Sequence, residues 1–554
     1  MQPETTSVTP GPLAALSRWI DENILSLGRE MRVSYLPPLM VYVAAGVSGL
    51  TGIVGTFFVK DYLNLSAEFL AMLGFWLMMP WALKMPLGHL VDLIWRWKAG
   101  LVYLGAGLIA TSLIIMARLI ADPAGMREMM PIEAWFIVSA LLSPIGYVLQ
   151  DVVADAMTVE AVPRADEAGQ PFSDAQRRIS HSTMQTLGRV AIIGGAFLVS
   201  LLNVYMFSGA AGLAKPEKVA LYVRIYEIAL IIPVISILGT VLATVLYRRA
   251  VRRLMGEGFG RKQADVMLHG EHGKTDVNWW VLGGSLVFAL FSLAMGLSKL
   301  RYNQEVIFLG SFAIITFLMA RLVRDLEPTA RSTLVGTAVV IFVFRAATLM
   351  GPGPGSTWWT IDVLKFDEQF IAVLGSVSTG LTLLGLFLFR RFVAVRSIAY
   401  VIGFLTIAQM FLSLPTVAMY YGLHHWTSAH TGGIVDARFI ALIDTAVASP
   451  LEQVAMIPML AWIANSAPEK LKATYFAVMA SFTNLALSLG NLGTKYLNQI
   501  YHVAREVKDP VTGAISTPAD YSQLGALLIT VLAIGFTLPM LAILFARLTR
   551  WRSS

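Results

Sequence analysis

The sequence predicts an all-α, polytopic membrane protein: two six-helix bundles with an extra helix pair between them, about 14 membrane-crossing segments in total. Three observations carry that expectation. Of 554 residues, 56% are hydrophobic and only 14% are charged, too little charge to cover a soluble chain of this length. Apolar stretches of bilayer-crossing length recur from end to end. Lys and Arg gather in alternate connecting segments.

The elements follow in order. Residues 1–35 are an N-terminal segment. Residues 1–11 are polar with prolines and lack a signal-peptide pattern, while 12–32 place Leu13, Leu16, Ile20 and Leu27 at helical spacing beside Arg18, Arg29 and Arg32. This fits a helix lying on the membrane surface, or equally an ordinary helical lead-in. A crossing helix needs about 20 mainly apolar residues, because the bilayer core is about 30 Å thick and each helical residue rises about 1.5 Å. The stretches that qualify are 36–59, 67–91, 98–120, 132–158, 180–203, 225–247, 278–298, 304–323, 332–351, 368–389, 396–420, 436–465, 472–498 and 522–546. Grouped, 36–247 is the first bundle, 248–277 a basic linker, 278–323 the extra pair, 332–546 the second bundle and 547–554 a tail.

The loops test this order. One alternate set holds Arg96/Lys98, Arg177/Arg178, the run from Arg248 to Lys262, Arg321/Arg324, Arg390/Arg391/Arg396, Lys470/Lys472 and Arg547/Arg550/Arg552. Roughly 26 of the 42 basic residues fall on that side and about 13 on the other. The bias predicts an inner-membrane protein with both termini cytoplasmic. It also assigns the net charge of +7 to the membrane surface rather than to nucleic acid. Without cysteine there is no disulfide, thiolate nucleophile or cysteine metal site. His424, His425 and His430 cluster in an expected loop with no carboxylate at ligand spacing. Neither a metal nor a cofactor is expected.

An internal repeat supports two related halves. FFVKDYLNLSAEFLAMLG (57–74) and WWTIDVLKFDEQFIAVLG (358–375) share Asp61/Asp362, Leu63/Leu364, Phe69/Phe370, Ala71/Ala372, Leu73/Leu374 and Gly74/Gly375 at one fixed offset. Parallel repeats around a midplane site are a transporter architecture.

Ionisable side chains at bilayer depth are costly and usually face a cavity. Three cations fall within the stretches, Lys84, Arg189 and Arg345, with Asp92, Asp151, Asp155, Glu160, Asp444 and Glu452 as the acids. Asp151 and Asp155, in IGYVLQDVVADAMTVE, stand at i and i+4 on one helix face, and Gln150 and Glu160 extend a polar seam. Burial raises a carboxylate's pKa and a nearby cation lowers it, so such a group can load and release a proton. It can equally be the structural partner of Lys84 or Arg189. The repeat offset carries Asp151 to Glu452, an acid at equivalent depth in the second half. Arg345 suits a carboxylate of a substrate, or of Glu452 or Asp444. Lys84, Gly88 and Asp92 recur every four residues in MMPWALKMPLGHLVDLIWRWKAG, with Arg96 at the membrane surface.

These motifs carry a resemblance. FFVKDYLNLS, PWALKMPLGHLVD, DVVADAMTVE and MIPMLAWIANSAPEKLKATYFAVMASFTNL are similar to the folate–biopterin transporter family of the major facilitator superfamily. The matching positions are Lys60/Asp61, Pro80/Trp81/Lys84/Gly88, Asp151/Asp155, and Ala473/Thr474/Phe476/Ala477 with Ser481/Asn484. The glycine–aspartate–basic run around Asp92 resembles the superfamily's gating loop, with Trp95 where a second glycine stands. That resemblance implies that Asp92 and Arg96 belong to a gate, and Asp155 is read with them. QDVVADAMTVE also resembles the muropeptide permeases, which carry an extra helix pair.

The reading expects a secondary carrier working by alternating access, coupled to protons, for an amphipathic anion of the folate or pterin class. Asp151, Lys84, Arg189, Arg345 and Glu452 are the expected substrate or proton site, and Asp92, Arg96 and Asp155 the expected gate. A carboxylate can accept a pterin's adjacent N–H groups in pairs, and the cations suit its anionic tail. Partners are a small anionic solute, the bilayer and protons, with the chain a monomer. The alternatives are a muropeptide carrier and a non-transporting assembly factor on the same fold. No serine–histidine pairing, HExxH or phosphate loop points to an enzyme.

Overall fold

The computed structural model describes residues 17–63, 65–82, 84–94, 97–162, 173–269, 279–298, 300–322, 324, 327–389, 396–451, 454, 472–508 and 515–549. Nearly all of these are helical, and ten helical stretches among them are long and apolar enough to cross a membrane. The first half comprises α1 (Leu36–Gly46), α2 (Gly52–Tyr62), α3 (Ala67–Ala82), α4 (Lys84–Leu93), α5 (Lys98–Ala121), α6 (Ile132–Ala161), α7 (Asp174–Met206), α8 (Lys215–Ala229) and α9 (Ile231–Gly256). The extra pair is α10 (Trp279–Leu297) and α11 (Asn303–Leu322). Then come α12 (Pro328–Leu349), α13 (Pro354–Asp362), α14 (Glu368–Leu388), α15 (Ile398–Leu412), α16 (Leu414–Tyr420), α17 (Ala437–Ala448), α18 (Lys472–Ile500) and α19 (Leu524–Leu548).

Several boundaries differ from the sequence reading. The sixth stretch starts ten residues earlier than expected, turns at Leu230, and runs on to Gly256 through four arginines. Basic side chains suit a helix's last turns, and Arg253 pairs with Glu257 one turn on at 3.0 Å. The segment 248–277 is therefore helical at its start, and a second helix covers Arg261–His269. The ninth stretch does not end at 351. It breaks at GPGPG, where Gly353 takes φ 74°, and resumes as α13. A two-stranded ribbon, β1 (Val507–Lys508) with β2 (Ile515–Thr517), occupies a segment read as loop.

Helices α1–α9 pack chiefly on one another, and so do α12–α19. The halves meet along two seams, α3 against α18 and α7 against α14. The extra pair covers the first seam. Phe312 of α11 lies 5.5 Å from Phe342 and 6.2 Å from Phe482, ring centre to ring centre, while Trp76 of α3 faces Gly296 of α10. Close backbone approach replaces hydrophobic collapse in places. A Cβ on Gly105 or on Gly146 would sit 2.6 Å from the other's carbonyl oxygen, so α5 and α6 touch main chain to main chain. Exposed apolar residues form stripes instead of patches. Ile231, Val234, Leu238, Val241 and Val245 follow one face of α9, opposite buried Ser236, Gly239 and Thr240. That inversion is expected of a helix facing lipid.

Two faces result. The terminal face carries the start of α1 and the end of α19. The distal face carries the loops around Asp61, Asp362 and Tyr521.

Candidate functional site

Lys84 stands two residues beyond the last described residue of α3, at the start of α4. Regular helix through α6 sets Asp151 and Asp155 one turn apart toward that lysine. Lys84 Nζ lies 2.5 Å from Asp151 Oδ2 and 2.7 Å from Asp155 Oδ2. One ammonium thus bridges both carboxylates. Tyr42 of α1 donates its hydroxyl to Asp155 Oδ1 at 2.6 Å. Side-chain exposure rises along this stack, from 15% at Asp151 and 19% at Lys84 to 38% at Asp155. Exposure along the stack thus increases toward the terminal face.

Arg189 of α7 lies within electrostatic reach of Asp151 and of Tyr42. It also lies close enough to Arg345, on α12 of the other half, for their like charges to interact. Five residues singled out from sequence, Lys84, Asp151, Asp155, Arg189 and Arg345, therefore form one electrostatic cluster drawn from both halves. Among the described residues it holds three cations and two carboxylates, an excess of one positive charge.

Other expectations fare differently. Glu452 and Arg96 lie outside the described residues, and of Asp92 only the backbone, within α4, is described. Gln150 does not extend the seam. It turns about 100° away from Asp151 on the helix, is 2% exposed, and bonds the Val102 carbonyl at 3.3 Å and Ser236 at 2.9 Å. Glu160 pairs with Lys98 at 2.5 Å near the terminal face. The set of three intramembrane cations omits Lys495, which is 8% exposed in α18 and binds Glu305 of the extra pair at 2.6 Å.

The distal face holds a second cluster that sequence reasoning treated as loop. Lys60 Nζ lies 2.6 Å from Asp362 and 3.5 Å from Asp61, so one lysine holds both aspartates of the repeat. Tyr521 donates to Asp362 at 2.5 Å. Lys218 and Tyr222 of α8 both reach Glu368 of α14, at 2.7 Å each, and that glutamate is 1% exposed. Gln499 bonds Glu68 at 2.7 Å. Each of these sets ties one half to the other. Their advance signals were the repeated Asp61/Asp362 pair and the Lys60/Asp61 motif. Nearby, burial raises the Asp367 carboxyl, but the Phe370 N–H and the Arg438 guanidinium outweigh it and hold the group below the usual carboxylate range.

Comparison with known proteins bears on this geometry. The profile of the BT1 family matches residues 45–551. A relative from Synechocystis sp. (strain ATCC 27184 / PCC 6803 / Kazusa), named folate-biopterin transporter, is 25% identical over 183 residues, which is 31% of this chain and 36% of that protein. The chain thus aligns with about a third of that relative's length. Among solved structures, a POT family transporter in complex with 5-aminolevulinic acid superposes with a TM-score of 0.55 at 11% identity, over 94% of this chain and 96% of that one. A point mutant of the nucleoside transporter NupG gives 0.53 at 12% identity, over 93% and 99%. At such identities these two show the shared major-facilitator-type fold.

Proposed function

This chain belongs to the BT1 family, a family of membrane transporters, and from that premise we propose that it carries an amphipathic organic anion of the folate or pterin class by alternating access, coupled to protons. The observation that carries the reading is the Lys84–Asp151–Asp155–Arg189–Arg345 cluster, drawn from both halves and partly exposed. Intramembrane charges of this kind mark solute and proton paths. The three cations offer partners for an anion, and the carboxylate pair offers acceptors for a pterin's adjacent N–H groups.

Alternating access needs one face shut while the other is open. In this conformation the distal face is tied by Lys60–Asp362, Lys218–Glu368 and Gln499–Glu68, while exposure along the central stack increases toward the terminal face. The basic bias of the loops assigns the terminal face to the cytoplasm of a cell's inner membrane. In the proposed cycle the halves rock about the seams. Anionic solute entering the site competes with Asp151 for Lys84, and the carboxylate takes a proton in place of its lost counter-charge. Asp92, Arg96 and Asp155 are assigned to the cytoplasmic gate, and Glu452 to the second half's side of the site.

The test is uptake of labelled folate, biopterin and a muropeptide into proteoliposomes of the whole chain, with and without a pH gradient. Accumulation of folate or biopterin that needs an inward proton gradient is expected. Preferential muropeptide uptake would transfer the assignment to that solute class. No uptake of any of the three, with a folded protein that co-purifies with a fixed partner complex, would favour an assembly role.

A further inference from the structure

The extra helix pair carries an open groove of about 540 Å³ between α10 and α11. Trp279, Trp280 and Val287 of α10 form one wall, and Phe317 and Leu318 of α11 the other. Its floor is Gly283. A side chain added there would meet nothing within 4 Å, whereas one on neighbouring Gly284 would meet Leu318 at 3.1 Å. Gly284 therefore packs the two helices together, and Gly283 leaves the groove open. From Trp279 to Val287 the groove descends about 12 Å along the helix, most of one leaflet's hydrocarbon depth of about 15 Å.

The mouth is charged. Arg321, at the terminal-face end of α11, places its guanidinium 3.9 Å from the centre of the Trp280 ring. Stacking of that kind holds the plane of the group and leaves its N–H edge to donate. Arg324 follows three residues on, and both arginines are exposed. The half-exposed Trp280 and largely exposed Trp279 stand where interfacial tryptophans lie at headgroup level.

We propose that this groove is a binding site for an anionic phospholipid, an acyl chain lying over Gly283 beside the touching Trp280 and Phe317 rings and the phosphate received by Arg321 and Arg324. The occupant follows from the combination: an apolar slot one leaflet deep, opening sideways into the bilayer, with paired cations at its headgroup end. Each arginine contributes about a five-fold preference for the anionic lipid.

The experiment is native mass spectrometry of the purified full chain titrated with dioleoyl phosphatidylglycerol or dioleoyl phosphatidylethanolamine. The parent is expected to retain phosphatidylglycerol at least about five-fold better. Arg321→Gln with Arg324→Gln should abolish that preference and keep weak binding of both lipids. Gly283→Leu should fill the slot and reduce retention of both, with an unchanged unfolding temperature showing that the pair still packs. Equal retention of the two lipids by the parent overturns the proposal, as does phosphatidylglycerol binding that survives both variants. A dimer lost on Gly283→Leu would give the groove to a second copy of the chain and would equally overturn it.

Discussion

Lys84 faces two carboxylates at nearly equal distances, and that asymmetry of one cation to two anions governs what substitutions do. Removing the charge of Asp151 leaves Lys84 still paired with Asp155, so Asp151→Asn costs about 1 kcal/mol or less in stability. Removing both carboxylates strands the ammonium, and the double variant is expected to lose about 3–5 kcal/mol, far more than the two single losses added together. The same asymmetry separates folding from coupling. Under the proposed function, Asp151→Asn reconstitutes normally and equilibrates solute across the vesicle membrane, but no longer accumulates it against a gradient. Paired thermal unfolding and uptake measurements check both halves of this expectation. Accumulation at the parent's level would remove Asp151 from the coupling role.

Helix ends show how an element is fixed by a few polar contacts. Asp367 caps α14 by accepting from the Phe370 N–H at 2.8 Å, while Arg438 reaches across to its other oxygen and to the Lys365 carbonyl, each at 2.9 Å. The second contact clamps Lys365, a non-glycine residue at φ 58°. Because the folded Asp367 value lies below its ordinary one of about 3.9, its stabilisation is complete above that pH. It disappears as pH falls through the depressed value. Asp367→Ala is therefore expected to lower stability by about 1 kcal/mol at neutral pH, with the gap to the parent closing below about pH 3.9. Unfolding curves in detergent across that range measure it, and a gap that stays constant with pH would contradict the assignment.

At the scale of the molecule, the proposed function makes the distal pairs and the central cluster one conformation of a two-state carrier. The chain has no cysteine, so thiols introduced at Lys60 and Asp362 are the only ones present. Under the proposed cycle, joining them with a short bis-thiosulfonate, which forms a reducible disulfide at each cysteine by releasing sulfinate, holds the distal face shut and stops transport, and reduction restores it. Each single cysteine variant treated with the reagent is the control. Transport that continues in fully cross-linked protein would show that this face need not open.

The sequence by itself determined the membrane class, the helix order and the small set of buried charges. The reason is local: whether a segment tolerates hydrocarbon, and whether one side chain is out of place in it, depends on that segment's own residues. Asp151, Asp155, Lys84, Arg189 and Arg345 were legible for that reason. Tertiary structure alone decided who meets whom. Gln150 adjoins Asp151 in sequence yet turns into the α5–α9 contact. Tyr42 looked like one more aromatic in a crossing helix but binds Asp155. Lys60, noted only as part of a motif with Asp61, and Lys218 fasten the two halves together. Helix rotation and seam packing set those pairings over separations from 48 residues (Gln150 to Val102) to 302 (Lys60 to Asp362), and no local pattern encodes either.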